Sequence, residues 1–222
     1  MRIVVTGATG NVGTSVVESL GRDPAVSAIV GVARREPAIP LAKTSWIQAD
    51  IVRADLTELF RGADAVIHLA WLIQPSHDEK TLDAVNVEGS SRVFRAVIAA
   101  EVPTLVYASS VGAYSPGPKD RRVDERWPTG GIQSSYYSRQ KAEVERRLDR
   151  IEREAPRLRA VRLRPGLIFK RDAAAGSAGC SRVRSCPTPS CGPASSLSSR
   201  PSSDSSSRPC THTAWPRPTA SQ

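Results

Sequence analysis

The run Arg2-Ile-Val-Val-Thr-Gly-Ala-Thr-Gly-Asn-Val-Gly13 decides the fold. Ile3 to Val5 is a β-branched apolar run, the composition of a strand. Gly7, Gly10 and Gly13 follow at a spacing of three. Thr14 to Leu20 then reads as a helix, with Val16, Val17 and Leu20 on one face. Strand, glycine turn and helix in that order make a phosphate site. Glycine accepts the positive φ of a tight turn, and its missing side chain lets a pyrophosphate approach the backbone. The N–H groups and positive dipole end of the helix then face the anion. Gly7, Gly10, Asn11, Val12 and Gly13 are the residues placed to meet it. An ordinary βα turn also accommodates three glycines. The strand before them and the helix after them favour the phosphate site, although the spacing is Gly-x-x-Gly-x-x-Gly and not the commoner Gly-x-Gly-x-x-Gly.

Working outward, strand and helix signals alternate through residue 171. Further strands are expected at Ala28–Val32, Trp46–Ala49, Ala65–Leu69, Leu105–Ala108 and Val161–Ile168. Helices are expected at Leu56–Phe60, Leu82–Ala100 and Ser135–Glu154. In the second of these, Val85, Val93, Phe94, Val97 and Ile98 fall near one stripe. Such alternation predicts a parallel sheet covered on both faces, a doubly wound Rossmann-type α/β domain over residues 1–171. Residues 172–222 change character to Ser, Pro and Arg, with Val183 and Leu197 the only branched aliphatic residues. This stretch reads as a disordered, low-complexity tail. The change is abrupt, and the composition is what a GC-rich gene encodes in a shifted frame. A frameshift or truncation in place of a substrate domain is therefore expected, and the coding DNA tests it.

The chain has 222 residues and a net charge of +9. Basic residues in the folded part alternate with acids, as in Arg146-Arg-Leu-Asp-Arg-Ile-Glu-Arg-Glu154, so a solvated helix face is expected and not a nucleic-acid surface. No apolar run approaches the roughly 20 residues of a membrane span, and nothing resembles a signal peptide. The expected location is the cytoplasm. All four cysteines lie beyond residue 171, without the spacing of a paired zinc motif.

Chemistry is carried by a second group of residues. Tyr137 and Lys141 stand four apart on a predicted helix and share a face. A phenol titrating near about pH 10 is a poor base at neutrality. An adjacent ammonium favours the phenolate and makes it an acid/base for an alcohol or carbonyl oxygen. The pair alone is common by chance. It gains weight from Leu105-Val-Tyr-Ala-Ser-Ser-Val-Gly-Ala-Tyr114, which sets Ser109 and Ser110 at the C-terminal end of a predicted central strand, the edge where open α/β sheets bind ligands.

Glycine turn, strand-end serines and Tyr-x-x-x-Lys together resemble the extended short-chain dehydrogenase/reductases, the NAD-dependent epimerase/dehydratase family. The resemblance covers about residues 1–171. It implies that Asp50-Ile51 contacts the adenine, that His68-Leu-Ala70 runs along the cofactor, and that Asn86 opens the helix beneath the active site. Val123-Asp-Glu-Arg-Trp-Pro128 resembles the family's loop before the catalytic helix, and Arg164-Pro165 lies near the nicotinamide by the same likeness. It further implies that Ser110 orients the substrate, that Tyr137 is the acid/base, and that Lys141 lowers its pKa and holds the nicotinamide ribose. A homodimer through the Tyr137 helix and its neighbour is implied as well.

Two departures narrow the reading. Sugar dehydratases carry Thr-Asp-Glu where this chain has Ser110-Val111-Gly112, so dehydration is not expected. The end of the second strand carries Ala33-Arg34-Arg35 and no acidic residue to accept the ribose hydroxyls of NAD. Arg34 and Arg35 favour NADP, with NAD left open. The expected activity is NAD(P)-dependent oxidoreduction or epimerisation of a small substrate. The alternative is a dinucleotide-binding remnant without turnover.

Overall fold

The computed structural model describes residues 1–35, 37, 40–73 and 78–170. Six strands form one parallel sheet: β1 (Arg2–Thr6), β2 (Ala28–Ala33), β3 (Thr44–Gln48), β4 (Ala65–His68), β5 (Thr104–Ala108) and β6 (Arg159–Leu163). Their spatial order is β3-β2-β1-β4-β5-β6, the Rossmann order. The chain starts in the middle, winds one way to β3, then crosses back past β1 to β4. That reversal opens a crevice at the C-terminal ends of β1 and β4, where ligands of open α/β sheets bind.

The alternation of side chains along β1 explains the two layers. Ile3 and Val5 point to one face and pack with Val17 of α1 (Asn11–Arg22) and with Val26 and Ile29. Val4 points to the other face, into a larger core with Val30, Val66, Phe94, Leu105, Tyr107 and Leu148. Three helices supply that second layer: α2 (Leu56–Phe60), α4 (Gly89–Ala99) and α5 (Tyr136–Glu154). α2 starts where Asp55 accepts the N–H groups of Thr57 and Glu58, and α5 where Ser135 accepts that of Ser138.

Several boundaries differ from expectation, α1 for one running from Asn11 to Arg22 where Thr14–Leu20 was expected. The helix expected over Leu82–Ala100 begins earlier, with α3 (Glu79–Asp83), and passes through a π-helical turn (Ala84–Glu88) before α4. Periodicity alone does not reveal the extra residue of a π turn. β3 starts two residues earlier than Trp46; Ala49 follows it and still donates its N–H to the Ala33 carbonyl. β6 ends at Leu163, not at Ile168. Pro165 has no N–H for a ladder, and its carbonyl accepts the N–H of Val111. Leu167, Ile168 and Phe169 are exposed, so their apolarity misled. The tail expected over 172–222 lies outside the described residues.

Candidate functional site

The site starts with the backbone of the glycine turn. Gly7 has φ +73°, and a Cβ placed there lies 2.6 Å from the Ala70 nitrogen. A Cβ on Gly13 lies 2.3 Å from the Gly7 carbonyl oxygen. Both positions exclude a side chain by contact with other backbone. Gly10 donates its N–H to the Gly7 carbonyl and precedes α1, where no side chain caps the first turn and no acidic residue lies in it. The first N–H groups of a twelve-residue helix are thus left to face an anion. Asn11 is exposed and Val12 half-buried at this start.

Gly7, Gly10, Arg34, Asp50, Ile51 and Ala70 line one cleft of about 190 Å³. Ala33 and Arg34 bound it at the end of β2, and among the described residues that line it the carboxylate is Asp50, after β3. Asp50 accepts the Val52 N–H through Oδ1, which fixes the turn after β3. Arg35 is exposed. Sequence reasoning missed Thr9, Leu72 and Val85, which also line the cleft. It also missed Lys170, whose Nζ donates to Thr14 Oγ1 at 2.8 Å. This sets a cation at the positive end of α1, an arrangement that an anion would relieve.

Asn86 sits in the π turn, 1% exposed. Its Oδ1 accepts the Leu72 N–H at 2.7 Å, and its Nδ2 donates to the Leu72 carbonyl and to Gln140 Oε1. It does not line the cleft; it pins the segment after β4 that does. His68 is equally constrained. Ser90 donates its hydroxyl proton to the Asn86 carbonyl, so it accepts from His68 Nε2–H at 2.9 Å, and Nδ1 accepts from Thr6 Oγ1 at 2.7 Å. Burial, with the nearby Lys141 charge second, lowers the His68 pKa to about 3. It is a neutral core residue and is no acid/base.

The second half of the site lies at the C-terminal end of β5. Ser110 is 8% exposed, and its Oγ accepts the Gly112 N–H as cap of a 3₁₀ turn (Val111–Ala113). Gly112 separates Ser110 from Tyr137: a Cβ there lies 3.4 Å from Ser110 Oγ and 3.1 Å from Tyr137 Cε1. Tyr137 projects from the first turn of α5, 37% exposed, and Lys141 lies one turn deeper, 3% exposed. Lys141 Nζ donates to the Ala108 carbonyl at 2.8 Å. Burial pulls its pKa down to about 7, against an opposing pull from Glu145. The ammonium lies 5.8 Å from the Tyr137 ring centroid and 3.5 Å from that of Trp71.

Around this edge runs a network that no motif announces. Ser109 donates to Glu145 Oε1. Arg164 grips the same carboxylate with two bonds, 2.8 and 2.6 Å, and also donates to the Tyr114 hydroxyl. Burial pushes Glu145 upward, but the bonds from Arg164 and Ser109 outweigh it and hold the carboxyl below its usual range. The network ties α5 to the strand ends of β5 and β6. Pro165 is held beside the 3₁₀ turn through its carbonyl.

Comparison with known proteins agrees with this architecture. The model of the NAD dependent epimerase/dehydratase family matches residues 3–174. L-arabinose 1-dehydrogenase (NAD(P)(+)) of Haloferax volcanii is 37% identical over 110 residues, 49% of this chain and 41% of the relative. UDP-glucose 4-epimerase of Mycolicibacterium smegmatis is 34% identical over 141 residues, 58% of this chain and 44% of the relative. The chain thus spans less than half the length of both curated relatives. Among solved structures, UDP-glucuronic acid 4-epimerase from Bacillus cereus in complex with NAD superposes with a TM-score of 0.65 at 22% identity, covering 76% of this chain and 57% of that one. A short-chain dehydrogenase/reductase superfamily protein from Agrobacterium tumefaciens with bound NAD gives 0.62 at 29% identity, covering 74% and 48%. The glycine-turn crevice, the parallel sheet and the family match lead to one conclusion: this chain belongs to the NAD dependent epimerase/dehydratase family.

Proposed function

We propose that this chain binds a nicotinamide dinucleotide across the β1–β4 crevice and takes part in oxidising or reducing a carbinol carbon of a small substrate, either releasing the product or returning hydride to the other face. The observation that supports this best is a placement. Ser110, Tyr137 and Lys141 converge at the end of β5, on the same sheet edge as the glycine cleft. The open α1 N-terminus, the excluded Cβ positions and the uncapped first turn fit a pyrophosphate. Gly7, Gly10, Asn11, Val12 and Gly13 hold that end; Asp50, Ile51 and Ala70 hold the adenosine and the connecting stretch. Arg34 favours a 2′-phosphate, hence NADP.

A bound nicotinamide supplies hydride exchange with the substrate carbon. Tyr137 takes the hydroxyl proton or returns it, and its exposure leaves the phenol open to substrate. Ser110 holds the reacting oxygen by its O–H. Lys141, buried beside the Ala108 carbonyl, holds positive charge near the phenol and the ribose. Gly112 occupies the position of the dehydratase carboxylate, and a side chain there would press on Tyr137, so dehydration is not part of the proposal. The relatives act on an aldose and on UDP-glucose by name. We carry over only the class, a sugar or sugar nucleotide. A homodimer packed through α4 and α5 belongs to the same proposal and is checked by light scattering.

The test is to incubate the full chain with NAD or NADP and a panel of aldoses and UDP-sugars, following reduced nicotinamide and sugar epimers. The expected result is turnover that falls by about 10²–10⁴ in Tyr137→Phe with dinucleotide binding retained. Turnover unaffected by Tyr137→Phe contradicts the assignment.

A further inference from the structure

Lys141 has three ammonium protons and three close neighbours. One proton goes to the Ala108 carbonyl at 2.8 Å and one faces the Tyr107 hydroxyl at 3.5 Å. The indole of Trp71 closes the remaining side, its centroid 3.5 Å from Nζ. This is a close cation–π contact. A ribose hydroxyl needs about 2.8 Å from the same nitrogen, and none fits between an ammonium and a ring plane so near. Yet Lys141 is the group that the proposed function requires at the ribose.

Both hold if indole and ribose take turns. Trp71 lines the dinucleotide cleft with Gly7, Gly10 and Ala70. Its backbone neighbour Leu72 is clamped by Asn86 at both N–H and carbonyl, so the side chain is what moves. The Trp71 Nε1 is buried without a hydrogen-bond partner among the described residues. A buried donor left unpaired costs free energy, so the capping position is held by the cation–π contact and by the edge contact with Tyr137, 5.9 Å between centroids. It is not locked by a bond of its own.

We infer that Trp71 is a positioning residue that caps the Lys141 ammonium in the free chain and competes with the dinucleotide for it. The inference rests on the dinucleotide reading above. The capped form binds no cofactor at this point, so apparent affinity is reduced by the uncapped fraction. A tryptophan that instead served as a stacking platform would have the opposite effect when removed.

The test combines two readouts on the full chain. Acylation by sulfo-NHS-acetate, read by mass spectrometry, reports how open Lys141 is, with exposed Lys119 as internal reference. Trp71→Leu fills much of the space without a π face; Trp71→Phe keeps a smaller face and guards against a folding defect. Without cofactor, Lys141 acylation is expected to rise by about tenfold in Trp71→Leu and less in Trp71→Phe. NADH titration is expected to show tighter binding in the same order, and NADH to protect Lys141. Unchanged acylation in Trp71→Leu overturns the inference. Raised acylation with looser NADH binding also overturns it and makes Trp71 a platform. Raised acylation with no NADH binding to any variant supports the cap and removes the dinucleotide reading instead.

Discussion

The β1–α1 turn and the β5–α5 edge hold their working groups by different means. At the first, the work is done by backbone. Gly7 and Gly13 shape the turn because a Cβ would strike main-chain atoms, and the α1 N–H groups face outward. At the second, buried side chains reach across the sequence. Glu145 joins Ser109 and Arg164, and Lys141 is fixed by Ala108 and Trp71. A backbone site fails when a side chain is added, whereas a network of charges fails when one partner is removed.

The largest expected effect falls on the second region. Glu145→Ala leaves the half-buried Arg164 without its bidentate partner, and removing the buried member of such a pair costs up to about 3–5 kcal/mol. For a domain of this size that lowers the Tm by roughly 6–20 °C, which differential scanning calorimetry reads. A shift of a degree or less would mean that the carboxylate holds little together.

Next comes Gly13→Ala. Its Cβ meets the Gly7 carbonyl, so the turn must open. NADH affinity is expected to fall at least about tenfold, with a smaller loss of Tm than in Glu145→Ala. Binding retained in this variant would break the contrast between the two regions.

A pH series sharpens it further. Burial lowers the Lys141 pKa from 10.5 to about 7. The groups facing it are Glu145 and Tyr137 on α5, Tyr107 on β5, and Trp71 and His68 at the end of β4. Between about pH 7 and 10.5 the unfolded chain holds a proton that the folded chain has released. The Lys141 contribution to stability therefore rises with pH across that window and is lost as pH falls toward 7. In Lys141→Met the rise is expected to vanish from a plot of Tm against pH.

The smallest expected effect is Lys170→Ala. Losing one cation beside the first turn of α1 is expected to weaken NADH binding about two- to fivefold, and more weakly in high salt.

The same contrast explains what was legible in the sequence. Backbone sites write themselves in glycine, so Gly7, Gly10 and Gly13 were read directly, and short apolar runs located all six strands. Ser110, Tyr137 and Lys141 stood out through strand-end position, helical spacing and the family resemblance together, and the structure sets all three at the end of β5. Glu145, Arg164 and Trp71 were not assigned these contacts. Glu145 carried no reading of its own within the expected Ser135–Glu154 helix, Arg164 carried only its likeness to a strand-end motif, and Trp71 was assigned no role. Their partners lie 19 to 70 residues away, distances that periodicity does not record. The π turn at Asn86 escaped for a related reason: it differs from an α-helix in backbone register and not in composition.

The central claim is that the crevice between β1 and β4 binds a nicotinamide dinucleotide. The most direct measurement is parallel titration of the full chain with NADPH and NADH, followed by nicotinamide fluorescence. The account predicts saturable binding, tighter for NADPH, with the preference lost in Arg34→Ala. Saturable binding of neither, from a chain that still melts cooperatively, would contradict it.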